Sequence, residues 1–256
     1  MSTAVSSSVR SAANWLEHRD EVSDPRIRLF CFPHAGGSAS FYSDWPRLLA
    51  PQVETVAVQL PGRGRLMREP FCTTIAEAAD ALTPLVADSY LPVVLLGHSM
   101  GAILAFEVAA RLDALRQPPL HLVCTARPAP SIPSPERPVS GGSRGELVNV
   151  LRDYDATPPE VFEDDELLDL MLPVIRADFH MIESYRCVPG LRVTAPISVF
   201  GGTEDPGVPV EAIHAWSGHT SGSFSARLLP GGHFFVTRYR DEILDAVRDF
   251  ARHACR

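Results

Sequence analysis

Residues 97–101 place a serine where its surroundings could activate it as a nucleophile. They read Gly-His-Ser-Met-Gly, the pattern G-x-S-x-G with Ser99 at its centre. An apolar run at 91–96 precedes them and an alanine-rich helical pattern at 102–110 follows. Strand, sharp turn and helix in that order hold a serine hydroxyl at the top of a sheet, and glycines are expected because a side chain would clash in so tight a turn. The context favours a catalytic serine over an ordinary glycine-rich turn.

A serine hydroxyl needs a base, and the base needs a carboxylate to orient it. In this kind of fold the chain order is Ser, then Asp or Glu, then His, each on a loop after a strand. Asp205 follows the apolar run 197–200 and a Gly-Gly pair, so it is the predicted acid. The adjacent Glu204 and the more distant Asp178 are the alternatives, and Asp205 could also belong to a simple turn.

The predicted base is His233, one of nine histidines in the chain. It follows the apolar run 224–229 and a second Gly-Gly pair, and it comes after both other partners in chain order. The other histidines lack this combination. His98, beside the serine, is expected to point away from it on the tight turn.

Acyl transfer through a serine also requires two N–H donors for the oxyanion that forms. One is predicted to be the backbone N–H of Met100, the residue after the nucleophile. The second is predicted to be Ala35, in the glycine-rich loop 32–38 that follows the first apolar strand. The residues that could do chemistry thus lie on four separate loops.

The elements that must bring these loops together form an alternating pattern of short apolar runs and helical patterns. This alternation predicts an α/β fold, with a mainly parallel sheet covered by helices on both faces. The helical patterns with the clearest apolar faces are at 74–88 and 239–254. The predicted strands are at 27–32, 53–59, 93–96, 120–125, 197–200 and 224–229.

The domain organisation follows from where this alternation holds. Residues 1–24 are expected to form a flexible N-terminal arm, and residues 25–126 and 188–256 the α/β core. No strand pattern occurs at 127–187, where a Pro/Ser/Gly-rich passage is followed by acidic and apolar helical patterns. An insertion of this size is typical of a functional cap, so a helical lid is predicted, although extra helices packed on the sheet would give the same pattern.

The composition argues against several classes of partner and site. The chain of 256 residues has 31 acidic residues against 23 basic ones, all of them arginine, for a net charge of −8, which argues against nucleic acid as a partner. No run approaches the roughly 20 apolar residues that span a bilayer. Five scattered cysteines argue against a disulfide framework or a zinc site. We therefore expect a cytoplasmic monomer without metal or cofactor.

Five short motifs follow one another along the chain: 31–37 (CFPHAGG), 60–65 (LPGRGR), 97–101 (GHSMG), 201–202 (GG) with Asp205-Pro206, and 231–235 (GGHFF). Together they resemble one known family, the free-standing type II thioesterases of polyketide synthases and nonribosomal peptide synthetases. The resemblance implies an α/β-hydrolase fold with a helical lid, and hydrolysis of acyl groups from the phosphopantetheine thioester of a carrier protein. It also implies that Ser99, Asp205 and His233 form the catalytic triad, with Ala35 and Met100 as oxyanion donors.

The resemblance leaves several alternatives open. The carrier is expected to be a separate protein. Arg63, Arg65 and Arg68 either contact it, lie solvated on the surface or form internal ion pairs. A carboxylesterase, a lipase or a peptidase could use the same fold, and a related enzyme could cyclise the acyl group or transfer it to an alcohol. A non-catalytic carrier-binding protein could also have kept the fold. The sequence does not specify the acyl group or distinguish a polyketide from a nonribosomal peptide pathway.

Overall fold

The fold is a seven-stranded sheet with helices on both faces. A computed structural model describes residues 12–18, 22–133, 138–154 and 157–254. The strand order is β1-β3-β2-β4-β5-β6-β7, with β1 antiparallel and all other pairs parallel. This confirms the predicted α/β class with a mainly parallel sheet. The strands are β1 (Leu16–His18), β2 (Ile27–Phe32), β3 (Val53–Val58), β4 (Val93–His98), β5 (His121–Thr125), β6 (Ile197–Gly202) and β7 (Phe224–Leu229).

The central strands are buried on both sides, which explains why they read as apolar runs without alternation. In β2, Phe30 packs into the core on one face and Cys31 into the core on the other. Helices α2 and α3 cover the first face, and α1 and α8 cover the second. The helices are α1 (Trp45–Leu49), α2 (Ile75–Ala87), α3 (Met100–Ala114), α4 (Arg144–Asp153), α5 (Asp165–Ser184), α6 (Val210–His214), α7 (Phe235–Arg238) and α8 (Arg240–His253).

The segment before β2 corrects the predicted N-terminal arm. Strand β1 pairs with β3 in the register Leu16↔Val58, and the Gln59 N–H donates to the Trp15 carbonyl at 2.7 Å. Residues 12–18 therefore belong to the sheet edge rather than to an arm. A three-residue strand is too short to produce a visible periodicity, which is why the sequence did not reveal it. Residues 1–11 and 19–21 lie outside the described part of the chain.

The insertion between β5 and β6 contains α4, α5 and a 3-10 helix at Pro159–Glu163, and its described residues include no strand of the sheet. These helices have a small apolar core of their own, in which Leu147 of α4 packs with Leu168 and Ile175 of α5. Residues 134–137 and 155–156 of the predicted lid lie outside the described ranges. Helix α5 lies against the loop after β2, so the insertion covers the edge where the candidate site residues gather.

Candidate active site

Ser99 occupies the turn between β4 and α3. Its backbone angles, φ 55° and ψ −117°, are strained for a residue with a Cβ, and such strain persists only where the surroundings impose it. The Ser99 N–H donates to the Thr125 carbonyl of β5 at 2.9 Å. The turn is thus fixed to the neighbouring strand, and Ser99 is held where α3 begins.

Two glycines make this turn possible. A Cβ at Gly97 would lie 2.1 Å from the Gly101 carbonyl oxygen. A Cβ at Gly101 would lie 2.1 Å from the Phe32 carbonyl oxygen. Both contacts are with backbone, which cannot rotate away as a side chain can. The clash predicted for side chains at these positions is confirmed.

The structure brings Ser99, His233 and Asp205 together in one hydrogen-bonded chain. His233 Nδ1 lies 2.7 Å from Asp205 Oδ2, and His233 Nε2 lies 2.9 Å from Ser99 Oγ. Because a carboxylate only accepts, these partners assign the ring proton to Nδ1 and leave Nε2 to accept from the Ser99 hydroxyl. The Asp205 and His233 side chains are only 1% and 10% exposed, so water competes little for these bonds.

The loops that carry the acid and the imidazole are packed backbone to backbone. The Thr203 N–H donates to the Leu229 carbonyl and the Glu204 N–H to the Gly231 carbonyl, both at 2.9 Å. A Cβ at Gly202 would lie 2.4 Å from the Gly231 oxygen, so the close approach requires glycine. The two loops are therefore joined by the same ladder that pairs β6 with β7.

The other side chains considered as acid or base do not form the hydrogen-bonded chain with Ser99. Asp178 does not face His233; it pairs with Arg63 inside the protein. Glu204 borders the cavity beside the acid, but the hydrogen bond to His233 comes from Asp205. His98 is fully buried with Nδ1 2.7 Å from the Thr125 hydroxyl, and burial lowers its pKa well below the usual value.

The two expected oxyanion donors come from different elements. Met100 is the first residue of α3, where a backbone N–H has no partner within the helix. Ala35, like Ser99, lines both of the cavities that meet at this site. The Ala35 carbonyl is 3.0 Å from His34 Nδ1, and burial lowers the pKa of His34 to about 4. His34 is therefore neutral at pH 7, and Nδ1 carries the proton donated to this carbonyl.

Two cavities meet at Ser99 beneath the insertion. The larger, of about 1030 Å³, runs between the core loops and the insertion, and the smaller, of about 170 Å³, is lined mainly by apolar side chains such as Met171 and Ile175. Tyr154 and Phe179 border both cavities, and the Tyr154 ring lies 4.7 Å from the His233 ring. Sequence reasoning missed Tyr154, because a tyrosine at a helix end carries no signal of its own.

The three arginines considered for carrier contact differ in their surroundings. Arg63 is buried and forms a two-pronged ion pair with Asp178, so the docking interpretation is wrong for this residue. Arg65 is 42% exposed and pairs with Glu17. Arg68 is exposed. Of the ion pairs that the sequence left open, Arg63 forms a buried one and Arg65 a partly exposed one.

The described residues show neither a metal site nor a membrane-spanning helix. Within residues 12–18, 22–133, 138–154 and 157–254, no group of three or more His, Cys, Asp or Glu side chains is placed to hold a metal ion. No helix in those ranges combines the length and apolarity needed to cross a membrane. Four of the cysteines are free thiols, of which Cys31, Cys72 and Cys124 are buried.

Comparison with known protein families gives one consistent result. The family model described as the thioesterase domain matches residues 27–251. The probable cadicidin biosynthesis thioesterase of Streptomyces griseus is 38% identical over 91% of this chain, and this chain spans 64% of that relative's length. The gramicidin S biosynthesis protein GrsT of Aneurinibacillus migulanus is 33% identical, with 90% of this chain and 91% of the relative covered.

Solved structures agree with the sequence comparisons. The type II thioesterase BorB from the borrelidin biosynthetic cluster superimposes with a TM-score of 0.85 at 40% identity. The superposition covers 93% of this chain and 97% of BorB. The assignment of the fold and the family therefore rests on similarity in sequence and structure over nearly the whole described chain.

Proposed function

This chain belongs to the thioesterase family, and from that premise we propose that it hydrolyses acyl groups from the phosphopantetheine thioester of a carrier protein. The carrier would be an acyl or peptidyl carrier of polyketide or nonribosomal peptide biosynthesis, as the motif resemblance implies. The relatives named above belong to cadicidin, gramicidin S and borrelidin biosynthesis. The observation that carries the proposal is the hydrogen-bonded chain Asp205–His233–Ser99, which opens into a cavity of about 1030 Å³. Hydrolysis would remove stalled or aberrant acyl units.

The first half of the reaction transfers the acyl group to Ser99. The Ser99 oxygen attacks the thioester carbonyl while His233 Nε2 takes the hydroxyl proton. Asp205 keeps the imidazole in the required tautomer and stabilises its charged form. The N–H groups of Ala35 and Met100 hold the oxyanion. When the carbon–sulfur bond breaks, His233 returns the proton to the leaving thiol.

The second half releases the acid. Water attacks the ester of Ser99 and gives its proton to His233 Nε2. The same oxyanion donors serve the second tetrahedral intermediate, and His233 then returns a proton to the Ser99 oxygen as the ester bond breaks. The product is a carboxylic acid and the serine is regenerated.

Several properties complete this proposal. A thioester is already activated towards attack, so we propose that the groups of this chain carry out these steps without a metal or cofactor. We propose that the enzyme works as a cytoplasmic monomer on a separate carrier. It would act without nucleic acid or a membrane as partner.

Replacing Ser99 by alanine tests the mechanism. We expect Ser99→Ala to lower hydrolysis of an acyl-loaded carrier protein by at least about 10³-fold, because no other group can form the acyl-enzyme. Ser198→Ala is the matched control, since the Ser198 hydroxyl also lies 2.8 Å from a histidine nitrogen but sits within the sheet. Thermal unfolding of both variants checks that the fold is kept. Full activity of Ser99→Ala would remove this serine from the reaction.

A substrate panel separates the proposal from its rivals. The purified protein is offered the carrier-bound thioester, an oxygen ester of the same acyl group and a short peptide. Preference for the thioester supports the proposal, and preference for the ester or the peptide would indicate a carboxylesterase, lipase or peptidase. Carrier binding without turnover, and without fluorophosphonate labelling of Ser99, would indicate a binding protein.

A further inference from the structure

Arg63 and Asp178 form an ion pair that is closed off from solvent. Arg63 donates to Asp178 Oδ2 at 2.5 Å and to Asp178 Oδ1 at 2.7 Å, and the two side chains are 7% and 1% exposed. The residues are 115 positions apart, one in the loop after β3 and the other on α5 of the insertion. A buried pair of this kind adds little net stability over apolar packing, so stability alone does not explain its presence here.

Both members of the pair also hold the loop that contains Ala35. The Gly36 N–H donates to Asp178 Oδ2 at 2.7 Å. Arg63 donates to the Gly37 carbonyl at 3.0 Å. The peptide between Ala35 and Gly36 is therefore held at both ends, because His34 binds its carbonyl and Asp178 its N–H.

Helix α5 contacts the same loop through a second residue. A Cβ at Gly36 would lie 2.7 Å from Ile175 Cγ1, so the helix packs directly on the glycine backbone. Ile175 and Asp178 are three positions apart and therefore lie on one face of α5. The position of the loop after β2 thus depends on α5 as well as on the sheet.

We propose that Arg63 and Asp178 are positioning residues that couple the lid helix α5 to the oxyanion site. The pair fixes the peptide next to Ala35, so the Ala35 N–H is aligned for the oxyanion only while α5 is seated on the loop. This inference rests on the proposed function, which gives Ala35 its role. It assigns Asp178 to transition-state stabilisation through the backbone and not to the orientation of His233.

A carboxylate is the group that this arrangement needs. Asp178 accepts three hydrogen bonds, from Gly36 and from two nitrogens of Arg63. In Asp178→Asn one oxygen becomes an NH₂ group, which faces a donor in either orientation of the amide. The variant is nearly the same size, so packing changes little while the hydrogen bonding to the loop is broken.

The test compares Asp178→Asn and Arg63→Lys with the wild type on a short-chain acyl thioester of N-acetylcysteamine. We expect kcat to fall about 10- to 100-fold, less than the roughly 10²–10³-fold cost of deleting a donor outright, while KM changes less than threefold. The affinity for an alkyl boronic acid, which mimics the tetrahedral intermediate at Ser99, should fall by the same factor as kcat. If Arg63 and Asp178 had a purely structural role, the variants would have a lower melting temperature but would not lose kcat and boronate affinity together.

Glu107→Gln is the matched control for a broken buried ion pair. Glu107 is 9% exposed and accepts from Arg111 and from Tyr185 at the end of the lid, but it does not touch the Ala35 loop. This variant should lose stability without the paired loss of kcat and boronate affinity. Unchanged kcat and boronate affinity in folded Asp178→Asn would overturn the inference, and if that variant does not fold, the same result with Arg63→Lys would do so.

Fluorophosphonate labelling distinguishes failure of this inference from failure of the proposed function. If the wild type labels at Ser99 and the folded variants label equally fast, the coupling is wrong while the serine mechanism stands. If the wild type neither labels nor hydrolyses the thioester, the proposed function fails, and the inference fails with it. Slower labelling of both variants, with wild-type rates in Glu107→Gln, supports the coupling.

Discussion

The nucleophile turn and the Ala35 loop follow adjacent parallel strands, β4 and β2, and are held in different ways. The turn is fixed by backbone contacts: the Ser99 N–H binds β5, and Gly97 and Gly101 are packed against carbonyl oxygens. The Ala35 loop is fixed by side chains that arrive from distant parts of the chain. One half of the site is complete once the sheet forms, whereas the other half requires the insertion to be in place.

The largest effect is expected from a methyl group in the nucleophile turn. In Gly101→Ala the new Cβ would lie 2.1 Å from the Phe32 carbonyl oxygen, and no side-chain rotation relieves that contact. We expect fluorophosphonate labelling of Ser99 to fall by at least about 10³-fold, together with a clear loss of thermal stability. Gly145→Ala, at a helical position with open space around it, is the control. Normal labelling of Gly101→Ala would contradict the rigid picture of the turn.

A smaller effect is expected from the same change in the Ala35 loop. Gly36 has φ +76°, which is strained for alanine, and its new Cβ would lie 2.7 Å from Ile175 Cγ1. Because this contact is with a side chain rather than with backbone, we expect the protein to fold while kcat for the N-acetylcysteamine thioester falls about 10- to 100-fold. Ile175→Ala in the same protein makes room for the methyl group and should restore part of the loss. Collapse of the fold in Gly36→Ala would show that the two regions are equally rigid.

The smallest effect concerns the histidine that holds the loop. Burial keeps the pKa of His34 at about 4, below its usual 6.5, so between these values the unfolded chain binds a proton that the folded protein does not. The free energy of unfolding should therefore fall as the pH drops from 6.5 to 4.

Replacing this imidazole should make that pH dependence weaker. In His34→Phe the slope of the free energy of unfolding against pH should decrease by up to about 1.4 kcal/mol per pH unit, one proton's worth. Urea unfolding at pH 6.5, 5.5 and 4.5 measures it. His121→Phe is a positive control, because burial also lowers the pKa of His121 to about 4. If the slope is unchanged in His34→Phe but decreases in His121→Phe, water reaches the His34 imidazole in the folded protein.

The sequence anticipated the residues that local rules control. Strands at 27–32 and 224–229 were predicted with the bounds that the structure has, since apolar runs ended by glycine or proline are local signals. The meeting of Ser99, Asp205 and His233 followed from their chain order and from loops at one edge of a parallel sheet. The roles of these residues stay predictions until they are tested.

What the sequence did not reveal depends on distant contacts. Asp178 was considered only as an alternative acid, because nothing near it in the chain points to Arg63 or to Gly36. Arg63 was considered for carrier contact, since an arginine in a polar loop is usually exposed. The short strand β1 and the place of Tyr154 against His233 also arise only when separate elements pack together.

The paired loops after β6 and β7 determine which distance in the site can vary. Thr203 and Glu204 are hydrogen-bonded to the backbone of the segment before His233, so we expect the two loops to move together. The spacing between the Asp205 carboxylate and the His233 imidazole should then vary less than the gap from His233 to Ser99. In the proposed mechanism the hydrogen bond across that gap breaks and reforms in every turnover.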